Sequence, residues 1–555
     1  MARPRILSNA EELPALAGGL LVLALVAGFI GTALVALLSG RMDGAFLGVI
    51  GDPVVHSVLR FTLFQAALST ALSIMLALPV ASALARQPAF VGRRWLIRLM
   101  AVPMGLPVLI GALGLIGIFG RQGIINDALS FAGLAEPVSI YGLSGILIAH
   151  VFFNLPLAAR LMLSALERVP AEYWRSAASL GLSPLSIFRF IEWPVLARVI
   201  PGAAGLIFML CATSFTLVLV FGGGPAATTI EVAIYQALRF DFDPERAVSL
   251  ALMQIVVTGA SLGALSLLPA AVDTGQTSGR RYPRFDGMGL PIRLLDAAIL
   301  LLAALFLVLP LAQVIVSGVN ADLLKLALEP AFRQAAGTSL MVASSAGLLS
   351  LACAYGVVSA RATLSSSRPS AIGARLFSAA LGASSSLVLL VPTSVLATGW
   401  FLALRQTGDI AGFAPVIVIG INALMALPFT MRVLEPAFVE HRARTTRLSI
   451  SLGLGGFSRF RLVDWPVLKR PLAMALAFAM ALSLGDLGAV ALFGSENIST
   501  LPSLIYARMG SYRSHDADGL ALILGAICLA LALVGAPPEA GQVQGHKSRS
   551  GETGR

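Results

Sequence analysis

Apolar runs of about 20 residues recur along this chain, each long enough to cross a hydrocarbon core of about 30 Å as a helix rising about 1.5 Å per residue. They fall near 16–38, 57–85, 98–119, 140–163, 199–221, 247–269, 294–317, 337–360, 376–404, 413–433, 471–493 and 518–535. Hydrocarbon offers backbone N–H and C=O groups no partner, so these runs are expected as helices. They are too long and too continuous for tilted barrel strands. Only 12% of the 555 residues are charged, against about 25% in a soluble domain. The expected fold is an all-α polytopic membrane protein with about 12 transmembrane helices and the lipid bilayer as its solvent. The run behind Arg3 and Arg5 exceeds the core of a signal peptide, roughly 7–15 residues, and lacks a small-residue cleavage site. It is expected to stay as the first span.

The net charge of +11 sits in short loops between these runs, not on a basic stripe of a soluble domain, which argues against nucleic acid as a partner. With twelve spans, the N-terminus, the even-numbered loops and the tail hold 27 Lys and Arg, and the odd-numbered loops hold nine. Arg60, Arg160 and Arg432 lie in spans or at their edges. The excess predicts that both termini are cytoplasmic. Cys211, Cys353 and Cys528 lie inside apolar runs without metal-ligand spacing, and read as packing residues. No glycine-rich phosphate loop, zinc pattern or catalytic triad occurs, and none of Lys325, Lys469 and Lys547 follows a glycine. The chain is expected to be non-catalytic, with no metal and no cofactor of its own.

An internal repeat organises the chain. Residues 155–196 align without a gap on 427–468, at a constant offset of 272, with 17 of 42 positions identical. The matches include Pro156/Pro428, Arg160/Arg432, Arg175/Arg447, Gly181/Gly453, Trp193/Trp465 and Pro194/Pro466. Shared greasiness alone would not place Trp, Pro, Gly and Arg in register. The offset maps span 4 onto span 10 and span 5 onto span 11, so the copies share one orientation, unlike the inverted repeats of many secondary transporters. The expected domains are a first six-span half at 1–272, a cytoplasmic linker at 273–293, a second half at 294–535 and a disordered cytoplasmic tail at 536–555.

The best-matched residues lie in two loops, 164–198 and 434–470, that the charge rule places in the cytoplasm. The first reads as a short helix through Glu172, Arg175 and Ala177, then Gly181 in the left-handed cap position, then a restart at Ser183-Pro184. Pro194 marks the turn into span 5. The second keeps Gly453 and Pro466 but has Gly455-Gly456 at the restart.

The patterns Gly181…Ile191-Glu192-Trp193-Pro194 and Gly453…Val463-Asp464-Trp465-Pro466 resemble the signature loop of binding-protein-dependent importer permeases. In that family the loop forms a coupling helix that sits in a groove of an ATPase. The family's glutamate, six residues before the glycine, is replaced here by Arg175 and Arg447. The resemblance extends to His150–Leu161, Phe221–Leu238 and Gly485–Ala517, which look like the permeases of bacterial thiamine and thiamine pyrophosphate importers. The ferric-iron permeases are the nearest rival, and a stand-alone secondary transporter is a third reading. The resemblance implies a permease subunit in the bacterial inner membrane that carries a thiamine-type substrate inward. Its implied partners are two copies of an ABC ATPase subunit, which bind the ATP, and one periplasmic substrate-binding protein.

Polar groups inside spans are candidates for the translocation pathway. Asp486, whose repeat mate is Ser214, either favours a cationic thiazolium or makes an interhelical hydrogen bond. His150 and Asn154 stand one turn apart on span 4, and Asn422 is the mate of His150. These three either line a central cavity or pack between helices. The outer loops 222–246 and 494–517 sit at equivalent places, and Asp241, Asp243 and Glu245 either dock a periplasmic binding protein or form a solvated acidic loop.

Overall fold

A computed structural model of the chain describes residues 9–39, 51–133, 137–222, 224–267, 284–367, 372–405, 408–454, 456–494, 498–511 and 513–535. The tail at 536–555 and most of the expected linker lie outside these residues. No strand occurs among them, and eleven helices are long and apolar enough to cross a membrane.

In the first half the principal helices are α1 (Asn9–Ser39), α2 (Pro53–Arg86), α3 (Arg93–Leu99), α4 (Val108–Phe119), α5 (Leu143–Leu166), α6 (Ala171–Ser179), α7 (Pro184–Ile187), α8 (Trp193–Ala212), α9 (Thr216–Phe221), α10 (Ile230–Arg239) and α11 (Pro244–Ser266). In the second half they are α12 (Leu290–Val319), α13 (Pro330–Ser367), α14 (Ile372–Leu390), α15 (Thr393–Arg405), α16 (Ile410–Ser451), α17 (Trp465–Gly485), α18 (Gly488–Phe493), α19 (Leu501–Gly510) and α20 (Ser514–Gly535).

Eleven spans stand where about twelve are expected because 376–404 is divided into α14 and α15 at Val391-Pro392. Proline has no N–H to give the helix and pushes the preceding residue out of helical geometry. The expected span at 98–119 is broken in the same way at Leu106-Pro107, ahead of α4. Each break has a glycine seven residues after its proline, Gly114 and Gly399. Two further breaks are also repeat-related. One separates α8 from α9 at 213–215, and the other separates α17 from α18 at Asp486-Leu487.

The two first helices are exchanged between the halves. Helix α1 packs on α13, α14 and α15, while α12 packs on α2 and α4 as well as on α20. The two glycines make this contact close. A Cβ on Gly399 would lie 2.4 Å from the Ala33 carbonyl oxygen of α1, and one on Gly114 would lie 2.3 Å from the Pro310 carbonyl oxygen of α12. Between lipid-dissolved helices, where burial against apolar neighbours gains little, such backbone approach supplies the attraction. The ring of Phe29 lies 4.8 Å from Trp400, and the buried Asp296 on α12 accepts from Arg86 Nη2 of α2 at 2.6 Å.

The outer half-helices α10 and α19 are placed by a shared device. The hydroxyl of Thr62 on α2 accepts from Ile230 N at 3.0 Å, and that of Ser339 on α13 accepts from Leu501 N at 2.8 Å. Each half-helix therefore has its first N–H pinned by the second span of its own half.

Replacing Gly399 by Leu must push α1 away from α15. Overpacking of this kind costs about 1–3 kcal/mol. The variant is expected to melt earlier in detergent than the parent protein, and a Gly399→Leu protein with unchanged melting would remove the exchanged contact as a stabilising element.

Candidate coupling site

The two signature loops build the same object twice. In the first, α6 ends with Leu182 N bonding the Ala177 carbonyl at 3.0 Å, and in the second, α16 ends with Leu454 N bonding that of Ser449 at 2.9 Å. This six-to-one closure needs a left-handed residue inside it. Gly181 and Gly453 supply it at φ +63° and +65°. Ser183 then caps α7, its Oγ accepting from Ser186 N at 3.3 Å. The second copy has no separate counterpart of α6, since α16 runs unbroken for 42 residues into the loop.

Past the glycine each copy winds one turn of π-helix, Phe188–Glu192 and Phe460–Asp464, before Trp193 or Trp465 starts the next span with proline second. The ring pairs Phe188–Trp193 and Phe460–Trp465 repeat at 6.2 and 6.0 Å. Each π-turn ends on a buried acid, Glu192 or Asp464.

A buried carboxylate needs a paired charge. Glu192 accepts from Ser82 Oγ on α2 at 2.8 Å and from Arg284 Nη2 at 2.5 Å. Arg284 comes from the segment ahead of α12, itself buried. It also bonds Asp286 at 2.6 Å and lies 4.0 Å over the Trp174 ring of α6. Asp464 instead meets His441 Nε2 at 2.8 Å, with Arg459 3.8 Å away. The acid is repeated while its base is not. The first loop is fastened by the segment joining the halves, the second by its own long helix. A groove of about 460 Å³ lies between the first loop and that segment, bordered by Trp174, Gly181, Pro184 and Phe285.

The structure places the sequence-predicted residues as follows. Ala177 is buried under α6, while Glu172, Arg175, Gly181, Trp193 and Pro194 face outward, as do Gly453, Trp465 and Pro466 in the second copy. Arg447 lies on α16. Large apolar side chains are exposed as well, Leu180, Leu185 and Phe190 on one loop and Leu448, Leu452 and Leu462 on the other.

His150, Asn154 and Asn422 are buried in helix contacts. The His150 Nδ1 and Ser69 Oγ are 2.9 Å apart, Asn154 Nδ2 donates to Cys211 Sγ at 3.3 Å, and Asn422 Nδ2 donates to Ser483 Oγ at 2.8 Å. Cys211 and Ser483 are themselves repeat mates, so spans 4 and 5 are tied as spans 10 and 11 are. Ser214 and Asp486 lie instead at the broken spans, half-buried. Asp486 accepts from Gly488 N and Ala489 N at 3.2 and 3.3 Å, capping α18. In the outer loop Asp243 caps α11, accepting from Arg246 N at 3.0 Å. No group of three His, Cys, Asp or Glu positioned for a metal occurs among the described residues.

A doubled signature loop on a bundle of broken spans, taken with the matches below, marks a transport permease, a multi-pass inner-membrane protein. The model of the binding-protein-dependent transport system inner membrane component matches residues 77–273. The chain is 45% identical to the thiamine transport system permease protein ThiP of Brucella abortus over 519 residues, 93% of this chain and 94% of that protein. It is 45% identical to ThiP of Escherichia coli over 88% of this chain and 89% of that protein, and 36% identical to ThiP of Haemophilus influenzae over 92% and 94%. The chain belongs to the family of thiamine transport system permeases.

Arg284→Ala leaves Glu192 buried without its cation, a loss of about 3–5 kcal/mol for a broken buried pair. Faster proteolytic cleavage within 170–192 is expected. Arg444→Ala removes only an exposed pair to Glu440, worth about 0.3–0.5 kcal/mol, and serves as control. Equal cleavage in both variants would count against the clamp.

Proposed function

We propose that the chain is the permease of an importer that carries thiamine and its phosphate esters from periplasm to cytoplasm. The observation that carries the reading is the doubled coupling loop, with its left-handed glycine, π-turn and buried acid at one offset, in a chain 45% identical over 93% of its length to a thiamine transport permease. A loaded binding protein docks on the outer face. Two copies of an ATPase subunit, one per loop, bind and hydrolyse ATP on the inner face, and both termini of the permease lie on that side.

The physical sequence follows from stiffness. When the ATPases close, they press on the loops around Gly181 and Gly453. Each buried acid ties its loop to the bundle behind it, so force on the loop reaches the spans. Glu192 passes it to α2 through Ser82 and to the approach of α12 through Arg284. The halves then rock about their shared interface, opening the passage on one side or the other. Arg175 and Arg447, in the slots where relatives of this superfamily carry glutamate, would meet acidic groups on the ATPase.

Valine cannot adopt the left-handed geometry of Gly181 or Gly453 without strain of about 1–3 kcal/mol. In proteoliposomes with the cognate ATPase, Gly181→Val/Gly453→Val is expected to insert normally yet lose stimulation of ATP hydrolysis by thiamine-loaded binding protein. Retained stimulation would break the coupling model. Stimulation by a ferric-loaded binding protein in place of the thiamine-loaded one would redirect the substrate, and labelling of Trp193→Cys or Trp465→Cys from the periplasm would reverse the topology.

A further inference from the structure

Four acids are deeply buried among the described residues, and three of them meet a base: Asp296 with Arg86, Glu192 with Arg284 and Asp464 with His441. The fourth, Glu231 on α10, is 1% exposed, and its Oε1 has no hydrogen-bond partner. Beside it stands Ser394, 3% exposed, and among the described residues no base. Burial without a base pushes the Glu231 carboxyl up to about 8, and a cation brought beside it would favour its ionised form.

The acid is not needed to build its helix. With Thr229 matched to Thr500 and Tyr235 to Tyr506, the residue opposite Glu231 in the second copy is Pro502, and α19 forms there without an acid. The chain therefore spends stability on a group that its twin omits.

The surroundings of Glu231 show what the charge could serve. Helix α10 packs on α15 and α18, where the two halves meet. A Cβ on Gly488 of α18 would lie 3.4 Å from Thr393, 3.5 Å from Asp486 Oδ1 and 3.8 Å from the Phe215 ring, so one glycine opens onto all three. Phe215 stands edge-on to Tyr235 at 5.6 Å, and Tyr506 is the repeat mate of Tyr235. Phe215 and Asp486 are half-buried and stand at the paired breaks in spans 5 and 11. In membrane transporters, interrupted helices of this kind line substrate sites. Two acids and several aromatic rings attract flat organic cations through charge and ring faces together.

We propose that Glu231 and Asp486, with Phe215, Tyr235 and its repeat mate Tyr506, form a transit site for a flat organic cation of the thiazolium type, Glu231 supplying the carboxyl that pairs with it. This rests on the substrate reading above and adds a binding step inside the permease. The site is single and asymmetric, since each copy contributes one acid where its twin has Pro502 or Ser214.

The test uses the complete complex in proteoliposomes, measuring labelled thiamine moved per ATP hydrolysed. Glu231→Gln is expected to keep ATP hydrolysis stimulated by the loaded binding protein within about twofold of the parent, while thiamine moved per ATP falls at least tenfold. Glu231→Asp should recover part of the loss, which a purely structural role would not allow. Gly488→Val, which fills the space beside Asp486 and Phe215, should reproduce the defect and covers the case in which Glu231→Gln fails to accumulate. Wild-type thiamine moved per ATP in either Glu231→Gln or Gly488→Val overturns the proposal. If the parent complex does not import thiamine at all, the substrate reading falls and takes this site with it.

Discussion

A peptide group surrounded by hydrocarbon has no water to bond, so each membrane-crossing segment must satisfy its own backbone. That requirement turns every apolar run of this chain into helix, and it makes any interruption significant. The interruptions here come in pairs, at Leu106-Pro107 and Val391-Pro392 and again at 213–215 and 486–487. At the last of these the protein replaces water, because Asp486 takes the N–H groups of Gly488 and Ala489. The breaks, the half-helices α10 and α19 and the signature loops all recur in the same order, so one plan of elements is used twice.

Duplication leaves room for divergence where charge is concerned. Both π-turns end on a buried acid, yet Glu192 is paired with Arg284 from the joining segment and Asp464 with His441 of its own helix. The geometry of the loop is fixed by backbone features, a left-handed glycine and a proline-led span, which tolerate no alternative. A carboxylate accepts any base that reaches it, so the partner was free to change. The same freedom accounts for Glu231 and Asp486, acids present in one copy alone.

Much of this was legible in the sequence because it rests on local rules. Span length, the offset of 272, Gly181 and Gly453, and the Trp-Pro starts of α8 and α17 follow from periodicity and backbone chemistry. The exchange of α1 and α12 was not legible, since one greasy face resembles another and close approaches such as those at Gly114 and Gly399 select the neighbour. Glu231 was missed for a different reason. The segment 222–246 reads as an outer loop, and an acid in a loop reads as solvated. The signal available was the apolar run Ile230–Leu238 behind Thr229, which marks a helix packed into protein. His150, Asn154 and Asn422 stood out as polar residues in spans, but whether a polar side chain faces a neighbour or a passage depends on rotation about the helix axis, which the sequence leaves open.

The crossing-over of the first helices bears on how the molecule is made. Helix α1 ends at Ser39, and α13, its main neighbour, begins at Pro330, about 290 residues later. At translation speeds of about 5–20 residues per second, the newborn helix spends roughly 15–60 s in the bilayer before its lasting companion leaves the ribosome. Helix α12, by contrast, emerges when α2 and α4 are already inserted. Assembly thus begins with a helix left waiting and closes only in the last third of synthesis, an interval in which an insertase or neighbouring lipid must shelter the Gly19–Leu37 face of α1.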